Sequence, residues 1–190
     1  MAALPQQAEA QFILKAVLLY GVAVGAVIIG VNTLSYEFGL ASAWLGFLVM
    51  FIAFSTVYFA MAQFRDEVLG GVLKISTGML FGFAITGVAS VVYVAVWEVY
   101  LHVTDFKFIE TYIVSILDNL QTQGASAAEM EAARRDTEVL RENYANNWYR
   151  LTLTATEIFP VGTLVSLVSA LILKRQPPEV VLTQTEDKES

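Results

Sequence analysis

Two carboxylates stand where the chain offers almost no other charge. Glu157 lies inside the apolar run Leu151–Leu173, which Arg150 closes at one end and Lys174-Arg175 at the other. Glu98 lies near the end of an earlier apolar run, from Ile75 to Leu101. An ionisable group within a membrane span is expensive and marks a functional candidate. If one run crosses outward and the next returns, both carboxylates fall toward the same end. Two carboxylates close together in low dielectric share a proton or hold a cation between them. Arg150 is an available counter-ion. The plainer alternative is two separate glutamates, each satisfied by Thr154, Tyr93 or main-chain groups. Glu98-x3-His102 also puts an imidazole on the same helical face. One histidine and two acids make a thin donor set, so this reads as a local hydrogen bond, with no metal expected.

Other chemistries are poorly supplied. The chain has no cysteine, which removes disulfides, thiolate catalysis and Cys-based zinc sites. Neither an HExxH motif nor a phosphate loop is present, and no nucleophile–base pair stands out. No enzyme and no cofactor are expected. The net charge is −7 with no basic cluster, so nucleic acid is not an expected partner. Arg65-Asp66 precedes the Gly70-Gly71 turn and reads as an ion pair that orders it near a membrane surface.

The elements that must position these groups are membrane spans. Of the 190 residues, 56% are hydrophobic and only 15% charged. Leu151–Leu173 alone gives about 34 Å of helix, enough to cross a hydrocarbon core of about 30 Å. Spans are expected over 12–34, 43–62, 75–101 and 151–173. Trp44, Tyr58 and Phe59 suit the ends of the second span, and Tyr93, Trp97 and Tyr100 share one face of the third. A cleaved signal peptide is the rival for the first run, with Ala41-Ser42-Ala43 as a small-x-small site. That site lies about ten residues beyond the run, and the n-region carries one lysine, so the span reading is preferred.

Residues 104–148 differ. They hold eight acids and four Lys/Arg, and no run long enough to span. Phe108, Ile109, Tyr112, Ile113, Ile116 and Leu120 recur at helical spacing. Gly124 breaks that helix. Ser126 and Glu129 then form a capping box for a second helix to about Asn143, with the stripe Met130, Ala133, Leu140 and Tyr144 interrupted by Thr137. The two should pair as an antiparallel hairpin. The fold expected is therefore an all-α membrane protein with four transmembrane helices and an extramembrane helical hairpin between the third and fourth. It divides into a flexible N-terminus (1–11), a single membrane domain (12–175) and a disordered tail (176–190) that starts around Pro177-Pro178.

Gly21-x3-Gly25, Gly78-x3-Gly82 and Gly162-x3-Ser166-x3-Ala170 allow close helix approach. Three such faces fit packing within one bundle better than homodimerisation through one of them. Lys15, Arg65, Lys74, Lys174 and Arg175 flank one set of span ends, and the 35–42 loop has no Lys or Arg. That placement favours cytoplasmic termini, although Lys107, Arg134, Arg135, Arg141 and Arg150 load the other side. Pro160 marks either a broken helix or a simple kink.

Several stretches stand together in a familiar order: Phe54-Ser55, Arg65-Asp66, Gly70-Gly71, Trp97-Glu98, Gly124–Glu129, Glu131, Tyr144-Ala145-Asn146 and Glu157-Ile158-Phe159-Pro160-Val161-Gly162. This pattern resembles the bacterial domain of unknown function 4199 family across about residues 12–175. The resemblance implies a four-span bacterial membrane protein and assigns no activity; the inner membrane, with both termini cytoplasmic, is the expected location. It departs at Ser76–Leu80, where the family pattern carries a basic, phenylalanine-flanked stretch, so no basic role is carried over there.

The leading functional expectation is a non-enzymatic scaffold or partner-binding protein in the lipid bilayer. Its contact surface would be the hairpin, and its partner another membrane protein or a second copy. The alternative is a small transporter or ion-coupled carrier that uses Glu98 and Glu157.

Overall fold

The computed structural model describes residues 6–40 and 42–175. Six helices follow in order: α1 (Gln6–Glu37), α2 (Ala43–Gln63), α3 (Ile75–Val103), α4 (Lys107–Thr122), α5 (Ala127–Ala145) and α6 (Asn147–Leu173). Four of them, with α2 continued to Val68, are long and apolar enough to cross a membrane. The fold is thus all-α, with four transmembrane helices and a two-helix hairpin between the third and fourth. The first helix starts at Gln6 rather than at Phe12, so residues 6–11 extend the helix ahead of its apolar run. The expected small-x-small site includes Ala41, and the expected tail covers 176–190. Ala41 and residues 176–190 lie outside the described residues, as do residues 1–5 of the N-terminus.

Apolar residues ring the spans on all sides, as lipid-immersed helices require, and the small residues select the inner faces. Helix α3 lies between α1 and α6. A Cβ on Gly21 would stand 2.6 Å from Val88 Cβ, and one on Gly25 would stand 2.6 Å from the Ala89 carbonyl oxygen. On the other flank, Gly82 faces Ser166 and Gly162 faces Thr86 at equally close range. All three small-residue patterns are therefore used inside the chain. Phe54, Val57, Met61, Ile28, Ile85 and Ile158 are fully buried in the core they enclose. Thr86 and Ser166 are buried too, and each hydroxyl donates to the carbonyl four residues back, which settles its hydrogen bond within its own helix.

The connector after α2 holds a feature the periodicity does not announce. Phe64–Val68 is a π-helical turn, with Leu69 N–H donating to the Phe64 carbonyl. Gly71 N–H then reaches the Arg65 carbonyl at 2.8 Å, with Gly70 and Gly71 both at positive φ. Leu73 pairs with Arg175 in an isolated antiparallel bridge, which ties the start of α3 to the end of α6. Pro160 lies within α6, and the helix continues through it to Leu173.

The hairpin forms as its sequence dictates. Ser126 Oγ accepts from Glu129 N–H, and the Glu129 carboxylate accepts from Ser126 N–H, which completes the capping box. Gly124 turns at φ +77. Arg141 of α5 clasps Glu110 of α4 through two bonds of 2.8 and 2.9 Å and also meets Glu138. A second small core of Leu101, Ile109, Ile113 and Tyr144 seats the hairpin on the end of α3. Trp97 packs against both this cluster and the main core.

Candidate functional site

The carboxylates at the hairpin end take different partners. Arg150 is only 1% exposed, and its Nε and Nη2 donate to the two oxygens of Glu98 at 2.7 and 2.8 Å. Nη1 donates to the Tyr144 carbonyl and Nη2 also to Asn147 Oδ1. The guanidinium lies over the Phe106 ring, 5.0 Å from its centroid, with the Tyr144 ring at 5.9 Å. Phe106 reaches that position because Asp105 and Phe106 adopt left-handed conformations, φ 49° and 56°. Two successive non-glycine residues in this region are strained, and the contact with Arg150 helps hold them there.

Glu157 is left apart from this cluster. Its Oε2 accepts from Tyr93 Oη at 3.3 Å. The expected carboxylate pair is therefore not formed: the Arg150 fork claims Glu98, and Glu157 goes to a phenol. Thr154 donates to the Arg150 carbonyl and does not serve Glu157. The His102 ring bonds the Glu98 main-chain carbonyl at 2.7 Å, a local helical contact. Arg65 and Asp66 bond each other at 2.6 and 2.8 Å. They sit beyond the far end of α2, about 30 Å along that helix from the cavity described next, and take no part in it.

That cavity, about 970 Å³, lies between the bundle and the hairpin. Helices α1, α3 and α6 supply Asn32, Tyr93, Trp97, Thr154 and Glu157. The hairpin closes it with Lys107, Phe108, Thr111, Tyr112, Ser115 and Tyr144, and the last turn of α1 adds Tyr36 and Glu37. Its volume falls within the range of small-molecule sites, and a few polar groups among aromatic walls is the usual composition of such sites. Glu157 is exposed along α6 and presents its surface to this space. By the rise per residue it lies about 15 Å along α6 from the start of that helix. The aromatic walls are locked together. Trp97 stacks on Tyr100, meets Phe108 edge-on at 4.8 Å and donates its Nε1–H to Tyr144 Oη. Burial pushes the Tyr144 phenol up to about 12, so it stays protonated. Glu37 accepts from Tyr100 Oη at 2.6 Å.

Five residues were singled out from the sequence, and the structure brings three of them, Glu98, Glu157 and Arg150, to this end of the molecule. Sequence reasoning missed Asn32, Glu37, Tyr36, Phe106 and Lys107. Asn32 had a signal, an amide inside an apolar run. Phe106 had none, since nothing local marks a left-handed phenylalanine. Among the described residues no group of three or more His, Asp or Glu side chains is placed to hold a metal.

A family model described as a protein of unknown function, DUF4199, matches residues 19–175. No curated protein and no solved structure matches the chain. The matched stretch spans every transmembrane helix in whole or in part, the hairpin and both carboxylates, and the chain belongs to the DUF4199 family.

Proposed function

We propose that this is a non-enzymatic integral membrane protein that holds a small amphipathic molecule in the cavity between its bundle and its hairpin. The observation that carries the reading is Glu157, a carboxylate at membrane depth that opens onto a ligand-sized, aromatic-walled space. The two-carboxylate carrier mechanism loses its basis, because Glu98 is already neutralised by Arg150. What remains of the carrier alternative is a single-carboxylate site.

The test fills the cavity. Wild type and Ser115→Trp are purified in lipid nanodiscs, and bound small molecules are extracted and identified by mass. Wild type should carry a molecule that the variant lacks. The same molecules on both would defeat the reading. The second reading, a scaffold whose contact surface is the hairpin, is supported by the exposed charges of α5, among them Glu131, Arg134, Arg135 and Glu142. Cross-linking through that face to another membrane protein or a second copy would favour it.

We also place the protein in a bacterial inner membrane with cytoplasmic termini. Lys15, Lys74, Lys174 and Arg175 flank the spans on the terminal side, while Arg141 and Arg150 on the hairpin side are engaged by acids of the chain. Reporter fusions after residue 120 and after residue 175 should lie on opposite sides. Finding both on one side would end the topology.

A further inference from the structure

We infer that the cavity ligand is an organic cation, an ammonium group on an apolar body. The inference rests on the cavity reading above and adds the ligand class. The lining holds two carboxylates, Glu37 and Glu157, each met by a phenol hydroxyl and by no cation among the described residues, and Glu157, bonded by Tyr93, is the one at membrane depth. Glu37 already accepts from Tyr100, and Glu98 is held by Arg150. An ionised carboxylate at this depth is costly unless a cation or several donors meet it, and one phenol supplies one donor. A bound ammonium would supply the missing charge.

The walls match the same chemistry. Tyr93, Trp97, Tyr144 and Phe108 lie around the space, and aromatic faces attract cations most strongly where water is scarce. The rings are mutually braced, through the Trp97–Phe108 and Trp97–Tyr144 contacts, so little ordering remains to be done on binding. Lys107 lies on the hairpin wall and repels a cation there, which leaves Glu157 as the end where the charge belongs. An anionic ligand would have to place its charge near Glu157 or confine itself to the Lys107 rim. An uncharged one would leave Glu157 unmatched.

The experiment uses the full chain in nanodiscs with Trp44→Phe and Trp148→Phe, so that Trp97 in the cavity wall is the remaining one of the three tryptophans. The probes are benzyltrimethylammonium and its uncharged isostere, in which carbon replaces the ammonium nitrogen. The cation should shift Trp97 emission saturably. Glu157→Gln should weaken that binding about tenfold or more, and Glu157→Asp, which keeps the charge, should retain most of it. The isostere should bind weakly to all three forms. Melting temperatures of the variants establish that each is folded. If the cation binds no better than the isostere, or if Glu157→Gln binds it as well as wild type, the ammonium class is wrong. In that event the extraction experiment separates the two claims. A molecule lost on Ser115→Trp leaves the cavity reading standing, and no difference there removes both.

Discussion

Arg150 joins three parts of the molecule through one side chain. Its guanidinium bonds Glu98 on α3 and the Tyr144 carbonyl at the end of α5, and lies over Phe106 before α4. Removing one partner of a buried pair leaves a charge stranded, at a cost of about 3–5 kcal/mol. Arg150→Met should therefore lower stability by that amount, and adding Glu98→Gln should recover much of it. Arg150→Lys should also destabilise, because an ammonium has no planar fork to match the carboxylate. Thermal unfolding in detergent reads all three, and a wild-type melting temperature for Arg150→Met would sink the assignment. Glu98, Glu157 and Arg150 were legible in the sequence because charges are rare beside apolar runs. Their pairing was not. Arg150 and Glu157 are seven residues apart, close to two helical turns, so both present the same face to α3. Which of them meets Glu98 depends on the register of α3 against α6. That register is set by Gly82 on Ser166 and Thr86 on Gly162, contacts that no single stretch of sequence displays.

The hairpin is the element whose local signals were strongest, and it carries a pH dependence. The side-chain hydrogen bond from Arg141 holds the Glu110 carboxyl below its ordinary value of about 4.5. Hydrogen bonds from Ser126 hold Glu129 low in the same way. A carboxylate with a depressed folded-state pKa adds stability above its unfolded value, and that contribution is lost as pH falls through the folded one. Amide protection in α4 and α5, corrected for intrinsic exchange, should thus drop as pH falls through about 4.5 and below. Arg141→Gln should flatten the dependence without removing it, since Glu129 remains. Protection that rises on acidification would contradict the assignment. Capping box, glycine turn and apolar stripes were all readable here. The π-helical turn at Phe64–Val68 was not, because a π turn differs from an α turn in which carbonyl each N–H finds, and no residue type marks that choice. The left-handed Asp105-Phe106 corner was hidden for another reason: tertiary contacts impose it against local preference.

At the scale of the whole molecule, four apolar runs and one polar segment were enough to give the architecture, since lipid leaves so few ways to satisfy a backbone. Helix ends were less legible. Gln6–Gln11 and Asn147–Arg150 extend their helices beyond the apolar runs, because helix continuation needs only compatible residues and, at α6, the Asn146 cap that accepts from Trp148 and Tyr149. The packing makes a paired prediction on α1. Gly25→Ala places a methyl against the Ala89 carbonyl oxygen and should destabilise by about 1–3 kcal/mol. Gly30→Ala meets nothing within 4 Å and should instead stabilise by about 0.5–1 kcal/mol through helix propensity. Melting temperatures that move together would show that α1 does not pack on α3 in this register.

The Glu98–Arg150 pair also has a consequence for biogenesis. The two residues are separated by 52 positions, so a ribosome delivers the acid of α3 well before its guanidinium. Until α6 follows, the nascent third helix carries an unmet carboxylate at the membrane boundary, and the first three helices wait for the fourth to complete them. A chain stopped after Ala145 should be short-lived in cells, and Glu98→Gln in that truncated chain should lengthen its half-life in a pulse-chase. Equal half-lives with and without the substitution would mean that quality control does not read this charge.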